Sequence, residues 1–586
     1  MGGLAAVVWV VLGQIVPPEL GSQPGWLNGA TPIEGAVARC KGCHDKDITD
    51  PEPLYLPFDG WVSTMMGNSI RDPLFRAAVV VANQDVPGVG QFCLRCHAPQ
   101  AYVRGHTIPT DGGALDTIDS EGVTCDACHR SVLAPADAGF PNDAGAPPVI
   151  GNANLYFERG VVKFGPYDAG SSSGHDMAYG SLVTSSELCG QCHQVWNPLV
   201  PWRREDGGLI GPRFPLDTTY DEWKFSAYSA ASGGQRCQDC HMPQFINTDG
   251  GVAYPVGKLG PLQNKPRRHV FVGGNLWGLR AVQQANPELS IYAEQFALTE
   301  DFTLASLRAA AQLEMTAPTS ALRGGALQVH LKVTNRSGHK LPTGYADGRR
   351  VFVQVALNGA PVSGAFTDAG TLVVDSQLRV YEARHGRVGV GEEEHLAQHD
   401  LIVKDTRIPP TRARATPTTA PVGTNWFTLA DGGLADFDSF DVTVPNLPTT
   451  GGATATVTAT LYYQSTTPEY VHFLASENHT DDAGQKLLGI FNALGGAPPI
   501  VMATVQRTVA LTADPDGGAG GGAGGGSSGG GAGGGTAGGP DSGAAGAGGA
   551  GGGGAPASGC GCQSVELFSG AAMALGGLLA RRRRRV

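Results

Sequence analysis

Ten of the twelve cysteines in this 586-residue chain fall into one repeated pattern. It reads Cys40-Lys-Gly-Cys43-His44, Cys93-Leu-Arg-Cys96-His97, Cys125-Asp-Ala-Cys128-His129, Cys189-Gly-Gln-Cys192-His193 and Cys237-Gln-Asp-Cys240-His241. At the Cys and His frequencies of the chain, chance supplies about 0.006 copies of C-x-x-C-H. Five copies are a specification. Two thiols spaced by two residues on a single turn can add to the two vinyl groups of one haem, and the adjacent histidine is carried under the iron as its proximal ligand. Zinc sites also use C-x-x-C, but they pair two such hairpins per metal; five is odd, and the following histidine goes unexplained. A thioredoxin-like redox pair would occur once. The motifs therefore predict five covalent haem c groups, with His44, His97, His129, His193 and His241 on their irons.

The elements that must carry these motifs divide the chain. Between Cys40 and His241 the polypeptide is rich in Gly, Pro, Asp and Ser, and only segments such as Asp72 to Ala82 and, beyond, Leu279 to Ala297 read as short helices. Macrocycles can supply the apolar core of such a region. Five of them on so short a stretch lie close together, which makes a redox wire the natural expectation. From about residue 300 the apolar pattern changes to period two: Leu327, Val329, Leu331 and Val333 alternate with polar neighbours, as do Val351, Val353 and Val355 and the run from Ala455 to Tyr463. The predicted class is α+β mixed: a loop- and helix-containing pentahaem cytochrome c domain (21–299) followed by an antiparallel β-sandwich (300–515).

Residues 516–558 form a Gly/Ala-rich linker, with 24 glycines among the 42 residues from Gly517 to Ser558, and a segment so poor in side chains is predicted to be disordered. At the other end, residues 1–20 contain an apolar stretch, Leu4 to Leu12, of signal-peptide length, although the first basic residue is Arg39. Haem attachment to C-x-x-C requires export-side maturation, so the expected location is the periplasm or outer cell surface. The balance of 41 Lys+Arg against 53 Asp+Glu, net −12, argues against nucleic acid and favours cationic redox proteins as donor and acceptor.

Two resemblances extend this reading. The tail 559–586 carries Cys560 and Cys562, an apolar stretch from Leu567 to Ala580 and the block Arg581 to Arg585. It resembles the myxobacterial C-terminal sorting domain, which implies processing near the cysteines and attachment to the cell envelope or surface. As a helix the apolar stretch would rise only about 21 Å, short of a bilayer core of about 30 Å. The phrases Phe92-Cys-Leu-Arg-Cys-His-Ala-Pro-Gln100, Glu121-Gly-Val-Thr-Cys-Asp-Ala-Cys-His129, Cys237-Gln-Asp-Cys-His-Met-Pro243 and Asn335-Arg-Ser-Gly-His-Lys-Leu-Pro-Thr-Gly344 resemble the multihaem c-type cytochromes of the cytochrome c-552/c-554 kind. That resemblance runs from about Trp61 to Leu474 and implies electron transfer through low-spin haems.

Each iron has one further axial position. His339, in the turn Gly338-His339-Lys340-Leu341-Pro342, and His269, in Arg268-His269-Val270, resemble family phrases and are candidate distal ligands; His175, fourteen residues before the fourth motif, is a third. Met66, next to Met65 where the family also carries methionine, is a fourth candidate and would raise the potential of its haem. His106 stands in reserve. His330 lies on the polar face of its strand, and His385, His395 and His399 fall in a charged loop with Glu392, Glu393 and Glu394. Four or five candidates for five irons leave two functional readings. One is an electron conduit with every haem six-coordinate. The other is an oxidoreductase in which one open-site haem acts on a small nitrogen or sulfur compound.

Overall fold

The computed structural model describes residues 34–513 apart from 47–55, 133–149, 158–160, 168–169, 172–173, 230–232, 245–253, 256–261, 264–265, 346 and 368–370. The expected leader, linker and sorting tail lie outside the described residues. Helix and sheet are mixed along the rest, with helices and short hairpins in the first half and long strands in the second.

The helix expected from Asp72 is Pro73–Asp85. Asp72 is its N-cap, accepting from the Leu74 amide at 2.9 Å, and Pro73 takes the first helical position, where a missing N–H costs nothing. The single helix expected over Leu279 to Ala297 is three pieces: Leu276–Ala285, a 3₁₀ turn Pro287–Tyr292, and Ala293–Ala309. Pro287 has no amide to donate and its ring obstructs the preceding turn, so the first helix stops at Ala285.

Three strands, Ala311–Thr316, Leu327–Asn335 and Phe437–Val444, form one antiparallel sheet. Ile500–Thr512, Thr454–Gln464 and Arg350–Leu357 are the long strands of a six-stranded sheet. Alternate residues of both sheets, among them Val329, Leu331, Val353, Val355, Val457 and Leu461, share one buried cluster. The period-two pattern has its cause here: each strand turns every second side chain into that core.

Two features tie this region to the haem motifs. A five-stranded sheet includes Ala383–Arg387, Leu401–Asp405 and, from the motif region, Trp202–Arg203. The helices Pro468–Glu477 and Ala483–Ala493 pack Tyr470, Val471, Leu474, Leu487 and Phe491 against Ala77 and Val81 of Pro73–Asp85 and against Trp277.

Candidate haem centres

All five C-x-x-C-H motifs lie on or beside a short helical turn. The turns are Lys41–His44, which continues a π-turn over Ala36–Cys40, then Gly90–His97, Cys125–His129, Ser186–Gly190 and Cys237–His241. None of the ten cysteines is joined in a disulfide. Among the described residues, the groups of three or more close metal-ligating side chains contain no motif cysteine. The four-thiolate or mixed thiolate–imidazole cluster of a zinc knuckle is not assembled among the described residues.

The motif histidines meet other histidines in a repeated geometry. The rings of His44 and His175 have centroids 6.2 Å apart and planes inclined by 24°. For His129 and His269 the values are 6.1 Å and 30°, and for His241 and His339 they are 6.1 Å and 22°. These separations are too wide for ring stacking. They match a metal between two imidazoles: bonds of about 2.0 Å, with roughly 1.1 Å more from each nitrogen to its ring centre, place the centres about 6.2 Å apart.

Hydrogen bonds prepare the rings for that role. The Nδ1 of His129 lies 2.6 Å from the Phe164 carbonyl, and the Nδ1 of His241 contacts the Val272 carbonyl. On the opposing rings, Nδ1 faces the Asp176 carbonyl at 3.2 Å for His175, the Arg267 carbonyl at 3.2 Å for His269 and the Lys340 carbonyl at 3.0 Å for His339. A carbonyl can only accept, so Nδ1 carries the proton and Nε2 keeps its lone pair for a metal. Burial pushes His241 down to about 4 and His269 to about 3, and lowers His129 and His339 as well. Those four rings are held neutral, the form that ligates.

Local chain geometry brings the opposing rings in. The segment carrying His269 passes between two motifs: Val272 donates its amide to the His241 carbonyl at 3.0 Å, while His269 faces His129. Phe271 takes a positive φ of 38° to make that turn. Gly60 lies against this segment, where an added Cβ would stand 3.0 Å from the His269 carbonyl carbon. His339 is held by a buried network. Lys340 Nζ meets Asp405 at 2.6 Å, Arg407 meets Asp405 at 2.7 Å and Glu222 at 2.9 Å, and Glu222 also accepts the Lys340 amide at 3.1 Å. Glu222 belongs to the helix Thr219–Lys224 of the motif region.

The other two motif histidines differ. His97 is stacked on Phe75, with centroids 3.7 Å apart and planes within 8°, and its Nδ1 lies 3.3 Å from the Ser69 carbonyl. His193 accepts the Tyr220 amide on its backbone carbonyl at 2.9 Å. Among the described residues no second imidazole is set against either ring in the manner of the other three pairs. Met66 contributes its carbonyl, which accepts from Val123 at 2.9 Å, while the side chain of Met65 packs against the buried cluster that includes Trp61 and Phe58. His106 is engaged by Asp119 at 2.7 Å. His330 is exposed and bonded to Asp441 and Ser439. The expectation of a charged loop is corrected for His385, which lies in the strand Ala383–Arg387, and both it and His399 are buried, at 4% and 0% exposure.

The motifs are also neighbours of one another. The Cys40 thiol approaches that of Cys125, Cys96 that of Cys192, and Cys189 that of Cys237, while the Cys128 thiol helps to push those of Cys189 and Cys192 up. The first motif thus lies beside the third, and the second and fifth both lie beside the fourth. Chain order does not predict this branching.

No family model matches the chain, and no curated protein matches it. Among solved structures, it is similar to a penta-haem cytochrome c552 from Thermochromatium tepidum, at 16% identity and a TM-score of 0.43, over 77% of this chain and 95% of that one.

Proposed function

We propose that this chain is an exported multihaem c-type cytochrome that conducts electrons through five covalently attached haems. The observation that carries the reading is the threefold recurrence of a motif histidine and a second imidazole at 6.1–6.2 Å with their planes within 30°. Haem, when bound, supplies a reversible one-electron Fe(III)/Fe(II) couple. The ten motif cysteines would hold the groups. His44 with His175, His129 with His269, and His241 with His339 would fill both axial positions of three irons, and His97 and His193 the proximal positions of the other two. The rings are preset by their carbonyl bonds and need not reorganise when an electron arrives. Adjacent thiols from neighbouring motifs support a branched conduit with the fourth motif at its hub. The acidic surface suits cationic donor and acceptor proteins. Attachment to the envelope would fall to the tail. No helix among the described residues is long and apolar enough to cross a membrane. The strand region after residue 300 is read as a sandwich that delivers His339 to the fifth motif.

The oxidoreductase reading retains one specific support: His97 and His193 face no second imidazole among the described residues. EPR of the oxidised protein separates the two. A conduit gives low-spin ferric signals throughout, with methionine or another strong ligand completing the remaining irons. A stoichiometric high-spin signal, shifted by added nitrite or hydroxylamine, would replace the conduit with the enzyme.

A further inference from the structure

Outside the haem motifs, one cluster of ligating groups is buried and incompletely satisfied. Asp347 lies in the turn before strand Arg350–Leu357. His385 lies beside a bulge in strand Ala383–Arg387, and His399 follows the 3₁₀ turn Leu396–Gln398. All three are fully buried, at 4%, 4% and 0% exposure, and one ligand atom from each falls within 4.8 Å of the others. Phe214, itself 0% exposed, stands edge-on to both imidazoles, with centroids 5.1 Å from His385 and 6.2 Å from His399. On this side the wall is apolar.

The hydrogen bonds leave a gap where a cation belongs. His399 Nε2 lies 2.9 Å from the Glu393 carbonyl, so Nε2 carries the proton and Nδ1 a bare lone pair. That Nδ1 is buried without a hydrogen-bond partner, 3.8 Å from Asp347 Oδ2, too far for a hydrogen bond. His385 Nδ1 approaches the same carboxylate at 3.2 Å. In a tetrahedral centre with bonds of about 2.0–2.1 Å, ligand atoms sit about 3.3 Å apart, and the two distances bracket that edge. The bond from His399 Nε2–H to a backbone carbonyl is also the outer contact that metal-binding imidazoles ordinarily make.

We propose that Asp347, His385 and His399 bind one divalent transition-metal ion of the Zn²⁺ or Fe²⁺ class. Two imidazoles and one carboxylate suit these ions, whereas Ca²⁺ and Mg²⁺ take all-oxygen sets. Three protein ligands leave a position for water or a small anion. His385 also lines a small cavity with Thr218, Gly344, Arg407 and Thr418, which gives such a ligand a place. The other close cluster, His106 with Asp116 and Asp119, carries no such argument, because Arg104 already bridges both carboxylates. The site stands independently of the haem reading.

The test uses the full haem-loaded chain, stripped with a chelator and dialysed against Zn²⁺. The wild type takes up one Zn²⁺ per chain and its unfolding midpoint rises. Asp347→Asn and His399→Gln bind at least about tenfold more weakly, given that even outer-contact changes cost 10–100-fold, with haem absorption unchanged. Wild type that takes up no Zn²⁺, or that binds it no more tightly than a folded variant, overturns the site. Where neither variant folds, anomalous scattering at the zinc edge from Zn²⁺-soaked wild-type crystals decides: a peak between His385 and His399 supports the site, and its absence removes it.

Discussion

His175, His269 and His339 each stand across from a motif histidine with Nδ1 committed to a backbone carbonyl. On the proposed reading, replacing any one of them by alanine removes one strong-field ligand. Each single variant should therefore convert one low-spin haem to high spin in the EPR spectrum, while His330→Ala, an exposed residue, leaves the spectrum unchanged. A His269→Ala spectrum identical to wild type would remove that residue from the ligand set. The proposed proximal ligands were legible in the sequence because the spacing that covalent attachment would need is fixed. The partners of those ligands are set by where the chain returns in space, which no spacing encodes: His175 was legible as a candidate, but not as the residue facing His44. The burial of His385 and His399 was not legible because the neighbouring glutamates mark the segment as charged, whereas His385 sits on the strand Ala383–Arg387, His399 follows the turn Leu396–Gln398, and both rings are buried.

Elements carry the next layer of the account. Asp72 caps Pro73–Asp85 while buried, and burial pushes its carboxyl up to about 6 from 3.8. A raised folded value means the native state holds that proton more tightly. The contribution is fully present below about pH 4 and is lost as pH rises through 6, amounting to roughly 2–3 kcal/mol. Asp72→Asn keeps an N-cap acceptor, so its Tm relative to wild type should rise between pH 4 and pH 7; a pH-independent difference would contradict this. The network around Lys340 answers to a second test. Asp405→Asn strands Lys340 in the interior and leaves Arg407 with Glu222 alone; it should cost about 3–5 kcal/mol, measured by denaturant unfolding, and should disturb the haem that His339 is proposed to hold. The strand pattern was legible because each strand buries one face. The break at Pro287 was equally present in the sequence, but apolar periodicity alone runs across it.

At the scale of the whole molecule, thiols of the second and fifth motifs both lie beside those of the fourth, which makes the fourth motif the hub of the proposed conduit. Replacing Cys189 and Cys192 by alanine should therefore slow electron passage from the first motif to the fifth more than the same change at Cys93 and Cys96, as read by stopped-flow oxidation of the reduced protein. All of this depends on sulfur bonded to porphyrin. Haem per chain, by pyridine haemochrome and intact mass on protein from a cytochrome-maturing host, tests it most directly. The account predicts five covalent haems. A colourless product, or fewer than five haems per chain, would contradict it.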